Sequence, residues 1–203
     1  MNLVPPLRVV VASRRDATRG RVSTALERVG LAVVAECHDG ASATAAVVRH
    51  RADVCLVDTL LPGVWDAVAA IASLPLAPKV VVLDSQVDEH AFFTALETGA
   101  AGYLLEDTDP GRLGAELLSV TEGGVVVAPA VAGRLLERHR RDASGRAAVP
   151  AELTDREWQV LELLAGGLTT KEIALRLRVS STAVRRHVSS AVKRLGALGP
   201  ADR

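Results

Sequence analysis

The sequence predicts an α/β front half, a doubly wound five-stranded parallel sheet of (βα) units, joined to an all-α rear half built on a helix-turn-helix. Three observations predict this. Residues 8–128 alternate short apolar runs of strand length with segments of helical period. Those runs are apolar throughout instead of alternating, as in strands covered on both faces. Residues 153–196 hold no such run, but they carry two Thr-x-x-Glu boxes, Thr154 to Glu157 and Thr169 to Glu172, each opening a helical pattern.

The elements follow in order. Arg8 to Ala12 (RVVVA) is the first strand, and Asp16 caps a helix to about Val29, with Val22, Ala25, Leu26 and Val29 at helical spacing. Further strands are expected at Leu31 to Ala35, Val54 to Val57, Val80 to Leu83 and Gly102 to Leu105, with helices at about 41–51, 64–73, 88–99 and 109–122. Open α/β sheets place functional groups at the carboxyl ends of their strands. The residues there are Ser13, Arg14, Asp58, Asp84 and Glu106. The helix at 109–122 carries Leu113, Leu117, Leu118 and Val120, more apolar surface than one face against a sheet requires.

Pro129 to Asp142 reads as a further helix with a basic tail, and Asp142 to Pro150 (DASGRAAVP) as a linker of small residues. The expected division is 1–128, 129–150 and 151–203. In the rear half, Asp155 to Ala165 forms the first helix, with Trp158 in its core. The box at Thr169 opens the second, which buries Ile173, Ala174 and Leu177. Ser180 caps a third that runs to about Leu195. At about 100° per residue, Val184, Val188, Ala191, Val192 and Leu195 fall on one side of that last helix. Thr182, Arg185, Arg186, Ser189 and Lys193 fall on the other. A helix that enters the major groove needs this division, since one stripe packs on its own domain and the other carries donors to bases and phosphates.

Bulk properties set the outer limits. The 203 residues are 49% apolar but only 2% aromatic, so the cores are built of Leu, Val and Ala. No apolar run reaches the ~20 residues of a membrane span, and no signal peptide is present, so a cytoplasmic protein is expected. Cys37 and Cys55 sit in strand contexts and read as free buried thiols. The zero net charge divides unevenly. Residues 1–132 hold 10 basic and 16 acidic residues, residues 133–149 hold 5 and 2, and residues 150–203 hold 9 and 6. An acidic front and a modestly basic rear suit a sensing unit joined to a nucleic-acid-binding unit. No hydrolytic or redox constellation is present, so an enzyme is not expected, nor is a cofactor or bound metal.

Leu153 to Gly196 resembles the LuxR-type DNA-binding domain of response regulators of the NarL/FixJ kind. The matching residues include Leu153-Thr154, Arg156-Glu157, Gly167-Leu168, Lys171-Glu172-Ile173-Ala174 and Val184, His187, Val188. The resemblance implies that Val179 to Leu195 contains the recognition helix, with Arg185 and Arg186 toward DNA and Ser189 one turn on. Double-stranded operator DNA is then the partner. It would be read through Arg185, Arg186, Ser189 and Lys193, with Thr170 and Lys171 near phosphates. The family usually continues into a fourth helix that pairs two DNA-binding domains, whereas this sequence ends at Gly199-Pro200-Ala201-Asp202-Arg203. A homodimer is therefore expected through the front half, on its first and last helices.

Residues 8–124 resemble a two-component receiver domain. LVDTLLPG (Leu56 to Gly63) matches the phosphoacceptor region, which falls on Asp58, and GAAGYLLED (Gly99 to Asp107) matches the fifth strand, with Tyr103 at the switch aromatic. The family's acidic pair is Ser13 and Arg14 here, its Ser/Thr is Asp84, and its Lys is Glu106. Of five positions, only Asp58 keeps the family residue. Phosphoryl transfer depends on cations that neutralise the equatorial oxygens. Like charges about 4 Å apart cost on the order of 4 kcal/mol at an effective dielectric near 20. The expectation is a pseudo-receiver that works without phosphorylation. The pocket itself admits several readings: Arg14 paired with Asp58 or Asp84, a rearranged metal site on Asp58, Asp84 and Glu106, or a solvated pocket with no role. A partner protein or small-molecule ligand at this end is a further one. The competing functions are a conventional Asp58-phosphorylated regulator and a signalling adaptor with weak DNA binding.

Overall fold

The computed structural model describes residues 6–75, 78–123, 125–144 and 153–196. Strands β1 (Arg8–Ala12), β2 (Ala32–Cys37), β3 (Val54–Asp58), β4 (Lys79–Asp84), β5 (Gly102–Leu105) and β6 (Val126–Val127) form one parallel sheet in the order β2-β1-β3-β4-β5-β6. Helices α1 (Asp16–Arg28), α2 (Gly40–His50), α3 (Val64–Ala72), α4 (Glu89–Glu97) and α5 (Pro110–Thr121) connect the strands. The doubly wound architecture agrees with the sequence. The strand number does not, because Val126–Val127 adds a sixth strand beside β5. A two-residue strand is too short to show any period, so only its neighbour reveals it.

Both faces of the sheet are covered, as the unbroken apolar runs require. Val9, Val11, Leu56, Val81 and Leu104 join Leu26 and Leu117 on one face. Val10, Cys55, Val57, Val80 and Val82 join α2, α3 and α4 on the other. Side chains such as Leu26, Leu56, Ile71 and Leu117 are fully buried, and each contributes about 1.5–3 kcal/mol. Both cysteines are free and buried, as expected. Asp16 does not cap α1. It is the first helical residue, and the N-cap is Arg15, which makes no side-chain cap bond.

Helix α6 (Pro129–Ser144) packs on α7 (Asp155–Ala165), and α8 (Thr170–Leu177) and α9 (Ser181–Gly196) complete the rear half. The helix predicted from Pro129 runs to Ser144, and most of the expected linker lies outside the described residues. The second sheet face is continuous with this rear core: Phe93, Leu135, Leu161, Ile173, Val188 and Leu195 belong to one buried apolar cluster. The two halves therefore share packing. Among the described residues, no helix is long and apolar enough to cross a membrane.

Candidate functional site: the strand-end pocket and the helix-turn-helix

Strands β1, β3, β4 and β5 end side by side, which brings Ser13, Asp58, Asp84 and Glu106 to one edge of the sheet. Asp58 is almost fully buried. Its Oδ2 accepts from Ser13 Oγ at 2.5 Å and pairs with Arg15 Nη2 at 3.4 Å, while Oδ1 accepts from the Leu60 amide at 2.9 Å. The same guanidinium pairs with Glu106 Oε1, and Arg21 Nη2 holds Glu106 Oε2 at 3.0 Å. One arginine thus lies between the two carboxylates.

That arginine is not the one expected. Arg14 is exposed and pairs with neither Asp58 nor Asp84, whereas Arg15 turns inward. The turn after β1 decides between them: the Arg15 amide donates to Ser13 Oγ at 3.1 Å, which aims residue 15 back over the pocket. Asp84 is engaged by Tyr103 instead of by an arginine. Its Oδ2 accepts from Tyr103 Oη at 2.5 Å, and Tyr103 is fully buried. Burial, together with that carboxylate, pushes the Tyr103 hydroxyl well above the usual phenol range. Tyr103 stays the donor. Among the described residues, no three His, Cys, Asp or Glu side chains converge as a metal site, so the rearranged site on Asp58, Asp84 and Glu106 is not formed.

In the rear half both predicted boxes are present. Thr154 accepts from the Glu157 amide, and Thr169 from the Glu172 amide, while each glutamate reaches back to its threonine. Helix α8 ends at Leu177, and its C-cap residue Arg178, with a left-handed backbone (φ 53°), makes the turn into α9. Ser180 Oγ then accepts from the Ala183 amide at 3.1 Å. Val184, Val188, Ala191, Val192 and Leu195 are buried, as the helical angle predicted.

Two family models match the chain: "Response regulator receiver domain" over residues 9–118, and "Bacterial regulatory proteins, luxR family" over residues 151–201. A probable transcriptional regulatory protein, NarL, from Mycobacterium tuberculosis is 34% identical over 193 residues, which is 94% of this chain and 88% of the relative. The transcriptional regulatory protein LiaR from Bacillus subtilis is 30% identical over 193 residues, 93% and 90% of the two chains. The chain is a LuxR-type response regulator. Among solved structures, the response regulator ChrA of a heme-sensing two-component system matches 96% of this chain and 98% of its own (25% identity, TM-score 0.57). The signal receiver domain of the Mycobacterium tuberculosis NarL matches 58% and 98% (32% identity, TM-score 0.55).

Receivers of this family hold Mg²⁺ beside the phosphoacceptor. The residues here do not fit it. Ser13 and the exposed Arg14 replace the acidic pair, and the Arg15 cation already lies against Asp58. A guanidinium and a divalent cation would compete for the same carboxylate oxygen.

The expected DNA-facing residues of the regulator have divided placements. Arg186 is exposed, as is Lys171, whose Nζ lies 3.8 Å from Glu122 of the receiver. Arg185 is mostly buried. Its Nη2 donates to Thr182 Oγ1 at 3.0 Å, and its Nε has no partner among the described residues. Thr170 is buried too. Ser189 and Lys193 face the receiver across a gap, opposite Phe93 and Leu96 of α4.

Sequence reading missed the contacts that hold this closed arrangement. Arg138 of α6, 5% exposed, donates through Nη2 to the Leu195 carbonyl at 2.9 Å and pairs through Nη1 with Glu89 Oε2 at 2.7 Å. Its guanidinium also lies over the Phe93 ring, 5.2 Å from the centroid. On the other flank Arg112 Nη1 donates to the Gly167 carbonyl at 2.6 Å. The only sequence signal was a basic tail on α6, which a solvated charge run explains equally well.

Proposed function

We propose that this transcription regulator reads operator DNA through α9 and takes its regulatory input without phosphorylation of Asp58. Residues 1–128 form the sensing unit, 129–150 the connection and 151–203 the DNA-reading unit. The observation that carries the regulatory half is the Arg15 guanidinium held between Asp58 and Glu106. It supplies internally the positive charge that a receiver otherwise takes from Mg²⁺ and a lysine. Both Asp58 oxygens are already engaged, Oδ2 by Ser13 Oγ and Arg15 and Oδ1 by the Leu60 amide.

The DNA half is supported by the chemistry of α9. The helix carries Arg185, Arg186, Lys193 and Arg194 and no acidic residue. Arg186 is free to use its bidentate fork on guanine. Ser189 is half-buried at the junction with α4 and the exposed Lys193 borders it, so the regulated quantity is the closed-to-open equilibrium of that junction. A second copy of the chain would meet the α1 and α5 helices, which pack together and leave Val29 and Leu118 exposed, a reading these apolar side chains support.

Specific binding to an operator duplex, measured at fixed salt for the wild type and for Arg186→Ala, tests the DNA half. Loss of specific binding alone supports it. A wild type that shows no sequence preference at any salt would favour an adaptor acting through its front half.

A further inference from the structure

The gap between α4 and α9 is a cavity of about 390 Å³, within the size range of small-molecule sites. Phe93, Leu96 and Val125 form its receiver wall, and Val192 faces them from α9. The cleft is half-open to solvent, and its lining is mostly apolar. The gap is not general looseness. At one end the junction is tight, since a Cβ on Gly196 would lie 3.1 Å from the Phe93 ring, and Arg138 ties the Leu195 carbonyl close by. Polar groups sit on both walls: Ser189 and Lys193 on α9, Glu97 on α4. Neither Glu97 nor Lys193 has an ion-pair partner among the described residues.

We infer that this junction is a ligand site for a small, predominantly apolar molecule bearing one anionic group. The apolar body lies against Phe93, Leu96 and Val125, and the anion lies toward Lys193 Nζ and Ser189 Oγ. An anion is selected because the α9 wall belongs to a helix with several bases and no acid, so its field is positive. Glu97 opposes the anion from the far wall and tunes affinity downward. Such a ligand contacts both halves only in the closed arrangement, and it covers two of the groups α9 would turn to DNA. Ligand and DNA are then mutually exclusive, and each weakens the other by the same factor. This coupling, though not the site itself, rests on the DNA-reading role of α9.

The test uses the full chain and anilinonaphthalene sulfonate, an apolar fluorophore with a single anionic group. The wild type should show one saturable site per chain. Leu96→Trp, which fills the cavity, should abolish it. Lys193→Met should weaken it by about threefold, the worth of one partly solvated charge pair, and Glu97→Gln should tighten it. Glu97 is exposed, so Glu97→Gln tests the site even if Leu96→Trp does not fold. Absence of saturable binding, undiminished binding by a folded Leu96→Trp, or affinity indifferent to both Lys193 and Glu97 would overturn the proposal. If the probe binds as described while the chain binds no DNA, the site stands and the DNA reading fails.

Discussion

Removing Arg138 should release α9 from the receiver and tighten DNA binding. Its guanidinium meets Glu89, the Leu195 carbonyl and the Phe93 ring, so Arg138→Ala cuts contacts that join α4, α6 and α9. Breaking a buried ion pair from one side costs about 3–5 kcal/mol. The Glu89 side chain keeps 15% exposure, and Arg134 Nε stands 3.8 Å from its other oxygen, which moves the figure down to about 2–3 kcal/mol. At about 1.4 kcal/mol per decade, the closed-to-open ratio falls by roughly 30- to 150-fold. If the closed form dominates the wild type, operator affinity rises by about tenfold or more, within that bound. Fluorescence anisotropy with an operator duplex at one salt concentration measures it. Arg134→Ala, which removes only the longer contact, should have a much smaller effect. An Arg138→Ala protein that folds but binds DNA no tighter than the wild type would show that the closed junction does not limit access.

Four further outcomes are expected. Arg186→Ala should lose about 1–3 kcal/mol of specific binding while non-specific binding changes little, read from anisotropy on operator and scrambled duplexes. A double-mutant cycle of Arg15→Ala and Asp58→Asn in urea denaturation should give a coupling of about 1 kcal/mol, modest because the Arg15 side chain is 41% exposed. Thr169→Ala should destabilise the rear half by about 1 kcal/mol through loss of the α8 cap, measured by thermal unfolding. Burial raises the Glu116 carboxyl above its ordinary 4.5, although Arg112 pulls the other way. A raised acid favours the folded state while protonated, so its contribution is whole below the ordinary value and is lost as pH climbs through the folded one. Relative to Glu116→Gln, the wild type should therefore lose stability from pH 4.5 upward, and a flat difference would contradict the assignment.

Where local signals were strong, the sequence was legible. Strands such as RVVVA and VVVL are apolar without interruption because they lie between two layers of helices, and capping boxes fix helix starts by chemistry that acts over three residues. The pocket was legible as a set of strand-end positions but not in its pairing. Arg14 and Arg15 are neighbours of identical chemistry, and a hydrogen bond from the Arg15 amide to Ser13 Oγ selects between them. Angular position also misplaced Arg185. It lies beside Val184 and Val188 at the margin of the buried stripe, where a Thr182 hydroxyl can draw the side chain in. The junction was hidden altogether, since nothing local in Phe93, Arg138 or Gly196 announces contacts that span the two halves of the chain.

Intact mass after incubation with acetyl phosphate and Mg²⁺, compared between the wild type and Asp58→Asn, tests most directly whether Arg15 has replaced the phosphorylation chemistry. The account predicts no phosphoryl adduct on either protein, and operator binding by the wild type that the treatment leaves unchanged. A stable adduct on the wild type, absent from Asp58→Asn and accompanied by altered DNA affinity, would contradict it.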